Sequence, residues 1–282
     1  MPAHRHRLAH VPRAPRLARA VAVSLVVALL MAGCGGKDED PKAGKKDSAA
    51  AAEPSASESA AEEAAPDPGY GVPQVGRCYR LSPSETLAPV TSSRRVSCDK
   101  LHTTVIAQIG YVKKAVTSNT PLAKRRAIGK RICAPAYRKL AGGTVPDRAT
   151  SLLTWTLFTP SSAQLERGAR WVRCDVLARS GESLVALPDR KPLLGQGVPE
   201  SLRVCQTAAG ADVSCSRPHD FRVEAVYAAP AGAYPDPNRY TAAARTRCKE
   251  LMGKDGGYWQ PPSEAGWKAG DRYIRCLSRT SS

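Results

Sequence analysis

The sequence predicts an α+β fold. It is expected to form two tandem small modules, each a short antiparallel sheet plus one main helix, stapled by disulfides and preceded by a disordered tether. Three observations predict this. The first is an internal repeat. Pro160-Ser161-Ser162-Ala163-Gln164-Leu165-Glu166-Arg167-Gly168-Ala169-Arg170-Trp171-Val172-Arg173-Cys174 aligns without gaps to Pro262-Ser263-Glu264-Ala265-Gly266-Trp267-Lys268-Ala269-Gly270-Asp271-Arg272-Tyr273-Ile274-Arg275-Cys276. A second shared string is Val96-Ser97-Cys98-Asp99-Lys100-Leu101-His102 against Val213-Ser214-Cys215-Ser216-Arg217-Pro218-His219. A unit that recurs along a chain is one structural module used twice. The second observation is cysteine order: each copy holds one Cys ahead of these strings (Cys78, Cys205) and one between them (Cys133, Cys248). The third is the stretch that precedes both copies, which holds no aromatic residue and no aliphatic larger than Ala over residues 35–69.

The elements follow in chain order. Residues 1–33 read as a signal peptide: five Arg and no acid, then the apolar run Ala20–Ala32, broken only by Ser24. That run falls short of the ~20 residues needed to span a bilayer. It closes on Leu30-Met31-Ala32-Gly33-Cys34, which resembles the lipobox of bacterial lipoproteins. That resemblance implies cleavage before Cys34, lipidation of its sulfur, and a lipid-anchored protein on the extracytoplasmic face of the cell membrane. Several acyl chains at one terminus anchor durably where one alone does not. Residues 34–73 then form an Ala/Glu/Pro/Ser linker whose composition cannot offset its ordering entropy. As a flexible coil it reaches about 35 Å.

Repeat 1 spans 74–185, a connector 186–198, and repeat 2 199–282. After each His comes a β-rich run, Thr103–Val112 and Phe221–Tyr227, with the alternation of half-buried strands. Thr120-Pro121 reads as the N-cap and first residue of the first helix, with Pro135 expected to kink or stop it. Thr241–Met252 reads as the second helix, ended by Gly253 or Gly256-Gly257. The runs closing at Cys174 and Cys276 read as strands, while Trp155, Trp171 and Trp267 are expected to fill the small cores.

Setting Cys34 aside leaves an even eight Cys in an exported chain, which implies disulfides. The pairs expected here are Cys78–Cys98, Cys133–Cys174, Cys205–Cys215 and Cys248–Cys276, although four Cys allow three connectivities per copy. The alternative is zinc, since Cys98-x3-His102 and Cys215-x3-His219 have spacings that metal ligands use. Export and the lack of any Cys-x2-Cys knuckle weigh against it, so no metal and no cofactor is expected.

Catalytic patterns are thin. No Gly-x-Ser-x-Gly elbow, phosphate loop or dinucleotide fingerprint is present. His102 and His219 are the only His after the signal segment, and each is expected to bond locally and order the turn into its strand. The chain is therefore read as a non-catalytic binding module. The alternatives are an envelope hydrolase using His102 or His219, or a purely structural spacer.

Charge is more informative. The net +17 hides an acidic linker and a basic remainder: residues 76–185 carry 19 cations and 6 acids, and residues 199–282 carry 12 and 9. No acid lies between Asp99 and Asp147. Of the ten cations there, Lys113, Lys114, Lys124, Arg125, Arg126, Lys130, Arg131, Arg138 and Lys139 are candidate polyanion-binding residues. On a cell surface the partner is expected to be an envelope protein or an anionic wall polymer rather than nucleic acid.

Repeat 2 carries Val213, Cys215, Pro218, His219, Cys248, Pro262, Trp267, Gly270, Asp271, Arg272 and Cys276 in an order that resembles the septum formation-related domain of actinobacterial membrane proteins and lipoproteins. Repeat 1 departs from it, with Leu101, Leu165 and Ala169 at the Pro, Trp and Asp positions, while Gly76-Arg77-Cys78-Tyr79 resembles its opening. The resemblance implies an extracytoplasmic, non-catalytic module linked by name to septum formation. His102, His219, Trp267, Asp271 and Arg272 are expected to be structural residues of its motif.

Overall fold

The computed structural model describes residues 65–195, 197–234, 236–253, 257–268 and 270–280. The expected signal peptide, Cys34 and linker residues 34–64 lie outside them.

In the first half the β-branched and aromatic runs pair as β1 (Cys78–Tyr79), β2 (Arg95–Val96), β3 (Thr104–Tyr111), β4 (Leu153–Phe158), β5 (Trp171–Ser180) and β6 (Ser183–Val185). Between them stand α1 (Leu122–Ala141), α2 (Val145–Ala149) and α3 (Ser162–Glu166). The antiparallel order is β2-β1-β3-β5-β4, with β6 paired to β5. The second half contains β7 (Val204–Gln206), β8 (Asp212–Ser214), β9 (Phe221–Ala228), α4 (Pro237–Met252), β10 (Tyr258–Gln260), α5 (Glu264–Lys268) and β11 (Tyr273–Arg279). Its order, read from the other edge, is β8-β7-β9-β11-β10, the counterpart of the first strand by strand. Both sheets even bulge at one place. The β3–β5 register shifts between Ile106 and Gln108, beside Cys174, and the β9–β11 register shifts between Cys276 and Leu277.

Helix α1 lies across its sheet because two glycines let it. Cβ atoms at Gly129 and Gly110 would fall 2.4 Å from Trp155 and 2.5 Å from Ile132, so hydrogen at these positions sets the helix–sheet distance. The expectation that Pro135 stops the helix is corrected. The helix continues through it to Ala141. Pro135 is exposed, so water can solvate the carbonyl its missing N–H leaves unpaired. Cys133, Ala136 and Ala141 are meanwhile buried and hold the chain to the sheet on both sides of it. The expected cap is corrected too. Pro121 occupies the N-cap position, and the Thr120 hydroxyl accepts the Thr117 N–H at 2.9 Å instead. Helix α4 begins at Pro237, earlier than expected, and ends at Gly253, whose φ of 65° lets its N–H reach the Lys249 carbonyl at 2.9 Å.

A part of the expected linker is also corrected. Residues 65–73 are packed against β5 and α3. The Asp67 N–H donates to the Arg167 carbonyl at 3.0 Å, the Arg170 N–H to Pro68 at 2.9 Å, and the Trp171 indole N–H to Tyr70 at 3.0 Å. This strap folds on itself through an Asx turn, Gly69 N–H to Asp67 Oδ1 at 2.7 Å. Tyr70, just beyond the aromatic-free stretch 35–69, supplies the aromatic contact, with Arg167 5.6 Å from its ring centre.

The largest cluster of buried residues draws on both halves, beside a smaller one in each. Val105, Leu153 and Val176 come from the first half, and Leu202, Val204, Val223 and Leu277 from the second. Leu187, Leu193, Leu194 and Val198 come from the stretch between. Backbone hydrogen bonds join the same seam: Leu152 N–H to Leu202 O at 2.7 Å, Val204 N–H to Thr150 O at 2.9 Å, and Gly181 N–H to Asp212 O at 2.7 Å.

Candidate functional site

Four disulfides join Cys78–Cys98, Cys133–Cys174, Cys205–Cys215 and Cys248–Cys276, with Cα–Cα distances of 5.3, 5.2, 5.0 and 5.3 Å. In each half one bridge closes the edge hairpin, and the other clips the long helix to an inner strand, β5 or β11. The sulfurs of Cys98 and Cys215, which the zinc alternative would place beside His102 and His219, are bonded to Cys78 and Cys205. Both His residues point back along the chain. The Nδ1–H of His102 donates to the Lys100 carbonyl at 2.8 Å, and that of His219 to the Arg217 carbonyl at 2.7 Å. His102 is buried.

The motif arginines shape the turn between the short helix and the closing strand. Arg170 Nη1 donates to the Ala169 carbonyl at 2.8 Å and to Leu165 at 3.4 Å. Arg272 Nη1 donates to Asp271 at 3.0 Å and Trp267 at 2.5 Å. Asp271 Oδ1 accepts the Tyr273 N–H at 3.0 Å. Trp267 is buried, donates its indole N–H to Gly232 at 3.1 Å, and lies 4.1 Å beneath the Arg272 guanidinium. These groups satisfy one another at close range, so the motif forms a corner rather than an open chemical site.

The candidate polyanion residues fall on α1 and the loop before it. Lys113, Lys114, Lys124, Arg126, Lys130, Arg131, Arg138 and Lys139 are exposed, and Arg125 is half-buried. Lys124, Arg131 and Arg138 are seven residues apart, a spacing that drifts only ~20° per step around a helix. They line one stripe with steps of about 10 Å. Among the described residues none of the nine is held in an ion pair.

Sequence reasoning missed a second feature. The Arg that precedes each closing Cys, Arg173 or Arg275, lies on the sheet face opposite the helix, because neighbours in a strand alternate. Arg173 is 5% exposed and Asp175 is fully buried. Their pair is two-pronged, with Nε donating to Oδ1 at 2.7 Å and Nη2 to Oδ2. The guanidinium lies 4.0 Å from the Tyr79 ring centre and 5.0 Å from that of Phe158. It lines a cavity of about 190 Å³ between the strap and the loop Val90–Ser93. Arg275 lines a more open cleft of about 410 Å³ at the seam between the halves, with Arg179 and Asp212. There Arg275 Nη1 donates to both Asp212 oxygens at 2.8 Å. The shared Arg-Cys dipeptide was the available signal.

The stretch that holds these corners, bridges and paired sheets is matched by a family model: the one described as septum formation covers residues 75–276. The chain belongs to the septum formation family. The match takes in both halves and the stretch between them, and it supports a septum-related role. No curated protein and no solved structure matches the chain. Among the described residues, no helix is long and apolar enough to cross a membrane.

Proposed function

We propose that this septum formation family member is a lipid-anchored, extracytoplasmic, non-catalytic binding protein. In this reading two tandem copies of one module stand on a short linker, and the basic face of α1 binds an anionic wall polymer. The observation that carries this is the α1 stripe, where exposed cations stand in one row with no acid to neutralise them. Such a surface attracts phosphodiester chains over long range and loses them in salt. Local hydrogen bonding of both His residues supports a non-catalytic role.

The test uses the full chain and purified anionic wall polymer. Raising salt from about 0.1 M to 1 M shortens the screening length from about 10 Å to about 3 Å, and binding is expected to fall with it. Lys124→Glu, Arg131→Glu and Arg138→Glu together are expected to weaken binding at least tenfold with an unchanged melting temperature. Binding that ignores both salt and the triple variant overturns the proposal. Cys34→Ser is expected to move the protein from the membrane to the soluble fraction, and retention at the membrane overturns the anchor.

A further inference from the structure

We propose that the cavity over Arg173 is a binding site for a free carboxylate, carried by the end of a peptide chain or by a small carboxylic acid. The inference does not rest on the polyanion reading, because the α1 cations do not line this cavity.

A guanidinium offers two two-pronged edges. Asp175 takes one of them, through Nε and Nη2, and its Oδ2 also accepts the Thr104 hydroxyl at 3.1 Å. The other edge, Nη1 with the second proton of Nη2, has no partner among the described residues. Arg173 is among the cavity's lining groups. That edge is open to the water of the cavity rather than sealed in the core, and a carboxylate matches its spacing.

The surroundings favour a single negative charge. Asp175 balances Arg173, so a doubly charged phosphate would stand beside one cation already shared. One carboxylate instead completes an acid–guanidinium–acid row. The cavity volume of about 190 Å³ equals roughly six water volumes, which admits an acetate or one amino-acid residue. Trp171 and Phe158 supply apolar wall for the carbon part, and the hydroxyl of Ser92 stands at the exposed rim.

The test is calorimetric titration of the full chain with acetate, with a tripeptide bearing a free C-terminal carboxylate, and with the same tripeptide amidated. Ser92→Trp, which plugs the rim and leaves the buried ion pair alone, is titrated in parallel. Saturable binding of the free acid is expected, at least tenfold weaker for the amide and for Ser92→Trp, with the melting temperature of that variant unchanged. A tripeptide bound more tightly than acetate upholds the site as one for chain ends, and equal binding upholds it as one for small acids. Equal binding of the amide, undiminished binding by Ser92→Trp, or no binding of either acid overturns the proposal. The α1 triple variant is expected to bind the carboxylate as the parent does, and a tenfold loss there would overturn it by assigning the signal to surface charge.

Discussion

At Gly129 two residue-scale effects oppose each other. Ala in place of Gly inside a helix gains up to about 1 kcal/mol of propensity. The added Cβ, however, would lie 2.4 Å from Cζ3 of Trp155, and overpacking of that kind costs about 1–3 kcal/mol. The clash should win, because two atoms of the ring, Cζ3 and Cη2, lie within 2.6 Å of the added Cβ. Gly129→Ala is expected to lower the urea midpoint by an amount equivalent to about 1–2 kcal/mol, and a midpoint that rises would show the ring free to move. Asp175→Asn leaves Arg173 buried without its counter-charge, a loss of about 3–5 kcal/mol, read from the same denaturation curve. Residues of this kind differ in how plainly the sequence shows them. The cysteines and both His residues were legible because their roles are local and occur twice. Arg173–Asp175 was not, since its second half counterpart pairs instead with Asp212, on a different strand, and Asp175 is replaced there by Leu277.

Helix α1 makes the element-scale case. Pro135 removes a helix hydrogen bond at an exposed position, yet burial on either side keeps the helix whole. Pro135→Ala should therefore restore that bond and raise stability by about 2–2.5 kcal/mol, the helix gain of about 3 kcal/mol less about 0.4–1 kcal/mol for the extra freedom of the unfolded chain. At about 2–4 °C per kcal/mol for a chain of this size, a rise of several degrees in melting temperature is expected, and no rise would mean the helix is strained there for another reason. The loop after β1 is expected to respond to pH. Bonds from the Ser93 hydroxyl, then from the Ser82 N–H and hydroxyl, hold the Glu85 carboxyl below the usual carboxylate range. A depressed folded-state pKa gives stability that is present above the unfolded pKa and is lost as pH falls through the folded one. Protection of the Ser82 amide, its exchange rate measured against the intrinsic rate at each pH, should accordingly fall at acidic pH, and Glu85→Gln should remove that pH dependence. The short helices α2 and α3 were readable in principle. Each opens with a capping box, Thr144 with Asp147 and Ser161 with Gln164, a signature present in the sequence. What no local pattern shows is the docking of strap residues 65–73, which depends on the Trp171 indole and on a Gly168 whose Cβ would strike Asp67 N at 2.6 Å.

On the scale of the whole molecule, two sheets of matching order share one core, and this decides how the protein unfolds. Leu187, Leu193, Leu194 and Val198 come from a stretch rich in Pro and Gly that reads as a connector, yet Leu193 and Leu194 are 1% and 0% exposed. Composition marks where a chain turns. It does not reveal whether the turning chain is covered by what lies on either side, and here both halves cover it. Each half alone would expose this seam: the apolar faces of Leu202, Val204 and Val223 in one, those of Leu153 and Val176 in the other, together with the backbone groups of 150–152 and 202–204. Four disulfides restrict the unfolded chain within each half and add nothing across the seam, since no bridge joins the halves. The coupling is therefore made by packing. Leu202→Ala, a buried large-to-small change costing about 2–5 kcal/mol, is expected to lower one calorimetric transition of the full chain as a single peak, with all four bridges intact. Two separated peaks, of which only the later-sequence half shifts, would mean the modules fold independently. In that case residues 199–282 produced alone should give a dispersed amide spectrum. A shared core instead predicts that this fragment, even with Cys205–Cys215 and Cys248–Cys276 formed, exposes its seam and gives a collapsed spectrum.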